Sequence, residues 1–282
     1  MPIMKLSFES VIKKLFPQDV ASGREHLTHP RRDWHRMLLA ATLVAVMLTS
    51  CGGGGGGSVD DPVAPPPPPP SRGASFDLDG IASKGLILGG FIEVFDDADS
   101  SAPLVTGTTS SVDGSYDLTI PPESDFNGVF VRVVVSGQAG AMMICDAAAG
   151  CGTDIAFGDQ FPIGADISLT AIVAAPVDGG SDTIYISALT DLAAQLAAAS
   201  GEISDQSLEQ AQSQVADLFG IVNSDLVHLP PVDVTDPAAP ADNPDAFRAA
   251  LVNAGILAAA FEGSAGIGNA LADLADDFIS NT

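Results

Sequence analysis

The chain has 282 residues, with 36 Asp and Glu against 11 Lys and Arg, and a formal net charge of −25. That balance excludes binding to phosphate backbones, which needs clustered lysine and arginine, so no nucleic-acid partner is expected. The acid reads first as a solvated, soluble surface.

The first element in chain order is Met37 to Leu48, a twelve-residue apolar run broken only by Thr42. A spanning helix needs about 20 such residues, so this run is too short for a permanent anchor. It suits the apolar region of a secretory signal, with Arg31, Arg32 and Arg36 as the positive flank. The positive region is over thirty residues long, which places the expected start codon downstream of Met1. Leu48-Thr49-Ser50-Cys51 closes the run and resembles a bacterial lipobox. The resemblance implies cleavage before Cys51 and lipidation of that cysteine. Two or more acyl chains on one residue hold firmly, since each buried methylene contributes about 0.8 kcal/mol. Gly52 in place of an aspartate resembles lipoproteins sorted to the outer membrane, so a lipid-anchored position in the bacterial cell envelope is expected.

Seven of the eleven basic residues and four of the 36 acids precede Cys51, leaving four against 32 and a mature net charge near −28. Residues 51–74 carry six glycines and then Pro65 to Pro70. The first part is a flexible coil and the second a stiff polyproline spacer, and neither can bury a core. The expected organisation is therefore a signal peptide over 1–50, a tether over 51–74, and two folded domains over 75–180 and 181–282. The fold class is α+β as separate domains, a β-sandwich followed by a small alanine-rich helical bundle.

The strands are read at Phe91 to Phe95, Val105 to Thr109, Ser115 to Ile120, Val129 to Val135, Met142 to Ile144 and Ile167 to Val173. Asp113-Gly114 marks a turn, and Pro121-Pro122 stops the strand that follows it. Val129, Val131, Val133 and Val135 share one face and Arg132 the other. Short strands at about ten-residue spacing suit a sandwich. Gly90-Phe91-Ile92-Glu93-Val94-Phe95, Thr108-Thr109 and Asp113 through Pro121 resemble carboxypeptidase regulatory-like and collagen-adhesin B-type repeats. The resemblance covers about 60 residues and implies a prealbumin-like sandwich that serves as a stalk or binding module without an active site. Some such repeats carry a Lys–Asn cross-link. Lys84 with Asn127, and Glu93 or Glu123 beside them, is the only combination the resemblance offers, and an exposed lysine is the plainer expectation.

Cys145 and Cys151 bracket five residues, and in an exported protein a pair this close reads as a disulfide. No histidine and no second cysteine pair stands near to complete a metal site. Asp96, Asp97 and Asp99 crowd one turn and are candidate calcium ligands, although Thr108 stands where an EF-hand loop ends in glutamate.

Four helices follow, with apolar stripes at 3.6-residue spacing. Ser187 to Ser200 aligns Leu189, Leu192, Ala193 and Leu196 and stops at Gly201. Ser204 caps a second stripe of Leu208, Ala211, Val215, Leu218 and Phe219 that stops at Gly220. Asn243-Pro244 starts a third, with Phe247, Ala250, Leu251, Ala254, Leu257 and Phe261 as its expected buried face. Ile267, Leu271, Leu274 and Phe278 form a fourth. The arrangement loosely resembles the helical half of some uncharacterised proteobacterial lipoproteins. The abrupt end after Asn281-Thr282 fits a shortened copy.

Chemistry is sparse. His228 is the single histidine after Cys51, no Gly-x-Ser-x-Gly elbow is present, and Gly263-Ser264-Ala265-Gly266 has the wrong spacing. The expected function is a non-catalytic envelope lipoprotein, attached to the membrane at Cys51 and meeting an unknown protein or envelope partner. The alternative is an envelope enzyme or accessory using the acidic helices, with His228 as its likeliest participant.

Overall fold

The computed structural model describes residues 75–122, 124, 126, 128–176, 179–236, 243–262 and 267–281. The expected signal segment over 1–50, Cys51, the expected tether over 51–74, Glu123 and Asn127 lie outside the described residues. None of the described helices is long and apolar enough to cross a membrane.

Among the described residues, eleven strands and four helices make a mixed α+β fold. The strands are β1 Phe76–Ser83, β2 Ile87–Leu88, β3 Phe91–Asp96, β4 Val105–Thr108, β5 Ser115–Ile120, β6 Phe130–Ser136, β7 Met142–Ile144, β8 Gln160–Pro162, β9 Ser168–Ala174, β10 Ser181–Thr183 and β11 Ile186–Ser187. The helices are α1 Ala188–Ala199, α2 Asp205–Phe219, α3 Pro244–Glu262 and α4 Ile267–Asn281.

One antiparallel sheet runs β4-β3-β6-β9. Its register sets Val94 opposite Val133 and Val135 opposite Leu169, all fully buried. Alternation explains it: β6 reads Phe-Val-Arg-Val-Val-Val-Ser, so Val131, Val133 and Val135 fall on the core face. Val129 does not join them, because β6 begins one residue later, and it is 66% exposed. A second, smaller sheet runs β2-β7-β8.

The third sheet centres on β1. Antiparallel β5 lies on one edge, and β10 and then β11 lie parallel along the other. Asp77 through Asp79 pair with Ser181 through Thr183, and Ala82 and Ser83 pair with Ile186 and Ser187. Between the two short strands Ile184 and Tyr185 leave the ladder without a change of register, opposite Gly80 and Ile81.

The residues expected to separate two domains are therefore partly strand, and they close a sheet begun by the first strand. Ser187 ends β11 and at once caps α1, its hydroxyl accepting from Thr190 N while Thr190 Oγ1 accepts from Ser187 N. Replacing such a cap with alanine costs about 1 kcal/mol. Helix α1 is apolar on most sides, as suits a helix packed all round. It lies against β9 and touches α2, α3 and α4. The buried apolar side chains from Phe76 to Phe278 form one continuous cluster, so strand-rich and helical parts share a core. Among the described residues, the parts on either side of residue 180 have no separate cores.

The stripes of α1, α2 and α4 are buried as the periodicity requires, with Leu218 only partly covered. Gly220 ends α2 at φ 65°, a left-handed cap that favours glycine. Of the expected α3 face, Ala250, Ala254 and Leu257 are buried, while Phe247 and Leu251 are 38% and 49% exposed. Ala246, Ala249, Val252 and Ile256 are buried as well, and the side chain of Phe261 lies outside the described residues.

Candidate functional site

Two polar sites stand out. The first surrounds His228, in the loop after α2. Its Nδ1 lies 2.8 Å from both carboxylate oxygens of Asp225, and Nε2 lies 3.0 Å from Asp182 Oδ1. Leu226 N donates to Gln212 of α2, and Tyr185 N donates to Val227 O, so the helix and the β10–β11 connection hold this loop from both sides. Burial pulls the imidazole pKa down, but the hydrogen bonds and charges of Asp225 and Asp182 outweigh it and hold the pKa above its ordinary value. An imidazolium donates from both nitrogens and cannot accept, so both oxygens favour the charged ring.

Beside His228 opens a groove of about 740 Å³, lined on its acidic side by Asp182, Asp205, Glu209 and Asp225. Gln206, Gln210 and Gln212 add amides, and Leu208, Ile172 and Val173 form an apolar floor. His228 is the only basic residue of the lining.

The second site is buried, and the sequence expectation of an exposed lysine is wrong there. Lys84 is fully buried. The inward positions of β1 are Phe76, Leu78, Gly80 and Ala82, and Lys84 continues their spacing just beyond the strand. Its Nζ has no hydrogen-bond partner among the described residues. Burial lowers the amine pKa to about 7, against the charges of Asp146 and Asp191, which raise it. Burial likewise raises each of those carboxyls to about 6. Asp191, in the first turn of α1, accepts from Thr170 N at 2.9 Å and from Gln195 Nε2 at 2.8 Å. The sequence signal for this cluster was the period of β1. Of the cross-link partners named for Lys84, Asn127 and Glu123 lie outside the described residues, and Glu93 belongs to the β4-β3-β6-β9 sheet.

These groups give stability a defined pH dependence. A carboxyl raised to about 6 from an unfolded value near 4 holds its proton more tightly when folded. Its contribution is therefore complete below about pH 4 and lost as the pH rises through 6. We expect thermal stability in EDTA to fall between pH 4.5 and 6.5, with Asp191 supplying on the order of 2 kcal/mol. Melts of Asp191→Asn should show a flatter profile over that window; an unchanged slope would contradict the assignment.

The calcium candidates do not converge. Asp96 is buried and accepts from Ala98 N and Gly128 N, Asp97 pairs with Arg132, and Asp99 accepts from Ser101 N. Among the described residues no group of three or more His, Cys, Asp or Glu is placed to hold a metal ion.

Cys145 and Cys151 meet with sulfurs 2.08 Å apart and Cα atoms 5.8 Å apart. Both are buried, and their amides donate to Asp159 O and Ile155 O. Closing so short a loop contributes about 2 kcal/mol on the chain-entropy picture. Cys151→Ser should lower the urea midpoint accordingly, and thiol labelling of unreduced, unfolded protein should find neither Cys145 nor Cys151 free.

Set against protein-family models, curated proteins and solved structures, the chain matches none of them.

Proposed function

We propose that this protein is a non-catalytic envelope lipoprotein, anchored through Cys51 and presenting its folded part as a binding or spacer module at the outer membrane. The observation that carries the reading is the double engagement of His228. A general base needs one ring nitrogen free to take a proton from substrate. Here Nδ1 faces Asp225 and Nε2 faces Asp182, so the residue on which an enzyme reading depends is occupied on both sides. Its place at the rim of the acidic groove suits structural pairing beside a surface that attracts cationic groups.

In this reading the strand-rich part serves as a prealbumin-like sandwich and the alanine-rich helices as a second interaction surface. Strands β10 and β11 couple the two. The Gly/Pro tether holds both away from the membrane.

The anchor is tested by labelling cells with a palmitate analogue and fractionating membranes. Wild-type protein should carry label in the outer-membrane fraction, and Cys51→Ser should accumulate as an unlabelled, uncleaved precursor. Label retained by the serine variant would remove the lipobox reading. The groove is tested with an oligolysine peptide. Binding should weaken with salt and fall when Asp205 and Glu209 become Asn and Gln. Salt-independent binding would argue against a charge-guided surface.

A further inference from the structure

Next to Lys84, the β7–β8 connection, the Val232–Val234 stretch and α3 enclose a cavity of about 20 Å³. Asp146, Asp233 and Asn253 contribute its carboxylate and carboxamide groups. A space of that size holds one water-sized occupant. Asp146 is 8% exposed and Asn253 5%, and both line the cavity. Asp146 Oδ1 and Asn253 Oδ1 are buried without a hydrogen-bond partner. Asp233 stands close enough for its charge to act on Asp146. Two unsatisfied acceptor oxygens and two carboxylates around one small space is an arrangement that costs free energy unless something positive or donating completes it.

We propose that Asp146, Asp233 and Asn253 form a binding site for a hard, oxygen-seeking cation of the calcium class. The donor set is all oxygen, as such ions require, and contains neither sulfur nor imidazole, which would favour zinc. A divalent charge neutralises the two carboxylates and satisfies both orphaned oxygens at once. With three side-chain ligands the site is weak, in the range of extracellular calcium modules at about 10⁻⁴ to 10⁻³ M. Lys84 does not line the cavity. Its charge acts on Asp146, so it is a competing positive charge rather than a ligand. The site is distinct from the turn of Asp96, Asp97 and Asp99, whose carboxylates serve main-chain amides and Arg132.

The test follows thermal unfolding of the folded region in EDTA and then in rising calcium chloride, with sodium chloride at matched ionic strength as reference. Calcium should give a saturable rise in Tm of a few degrees and sodium none, because only a specifically bound ion stabilises by mass action. Asp146→Asn and Asn253→Leu should each lose the saturable shift, and Asp99→Asn should keep it. Lys84→Met should melt no lower than wild type in EDTA and reach its calcium shift at lower concentration. No saturable shift, or a shift that survives both Asp146→Asn and Asn253→Leu, would overturn the site and leave only surface charge binding. A lower melting temperature of Lys84→Met in EDTA would also overturn it, because the lysine ammonium would then be the charge that Asp146 is built to meet.

Discussion

Residues 75–180 and 181–282, expressed separately, should each fail to melt cooperatively, while residues 75–282 melt as one unit. The reason is where the buried area lies. Leu189, Leu192 and Leu196 of α1 are buried in a core continuous with the sheets, and α1 packs along β9. Each such side chain is worth roughly 1.5–3 kcal/mol of burial, so uncovering three of them removes several kcal/mol. Cutting at 180 also strips the parallel edge of β1, which pairs with Ser181 through Thr183 and with Ile186 and Ser187. A domain of this size holds only about 5–15 kcal/mol in total, so neither half keeps a comfortable margin. A cooperative calorimetric transition from either fragment alone would show that the shared core is dispensable.

The second large effect is expected at Gly80. A Cβ built there would lie 1.8 Å from Ile184 O, a main-chain atom that cannot swing aside. The same carbonyl accepts from Tyr116 Oη at 2.7 Å, and Ile184 N donates to Asp79 O at 2.7 Å. One methyl group thus meets the connection between β10 and β11, a buried tyrosine hydrogen bond and the closure of the sheet together. Gly80→Ala should cost about 3 kcal/mol or more, in the range reserved for overpacking with loss of a buried hydrogen bond. Gly89→Ala is the control, since that glycine has φ 66° but open space around it, and only its backbone preference, about 1 kcal/mol, is lost. Urea unfolding of both variants separates the effects. Equal midpoints would mean that the strand edge at Ile184 yields.

What the sequence made legible was whatever obeyed a strong period. Strands β3, β5, β6 and β7 alternate cleanly, and α1, α2 and α4 carry wide apolar stripes with caps at Ser187, Ser204 and Gly220. Strand β1 was harder to see, because Asp77, Asp79 and a mid-strand glycine break its apolar look. The pair β10 and β11 was hidden altogether. Ser-Asp-Thr after two glycines reads as a linker, and only a long-range partner makes it strand. Lys84 was misjudged because lysine is seldom fully buried, although the alternation of β1 points it inwards. On α3 the expected Ala250, Ala254 and Leu257 are buried, but Phe247 and Leu251 were wrongly taken as core from their size, and they stand outside it. The site was only half visible in the sequence: Asp225 and His228 stand three residues apart, but Asp182 joins them only through a tertiary contact.

The parallel edge of β1 also sets the order in which this protein can fold. Asp77 must wait about 100 residues of chain for Ser181, whereas its antiparallel partner Thr119 arrives after about forty. A chain emerging from its N-terminus therefore carries a half-paired first strand, with a row of unsatisfied amides and carbonyls, until Ile186 and Ser187 appear. Contacts of such long reach slow folding towards the millisecond-to-second range and lengthen the time during which that strand can pair with a neighbouring chain. Synthesis that stalls between Val173 and Ser181 would leave the β1 sheet open on one edge, so a short segment about 100 residues downstream governs the solubility of the first strand.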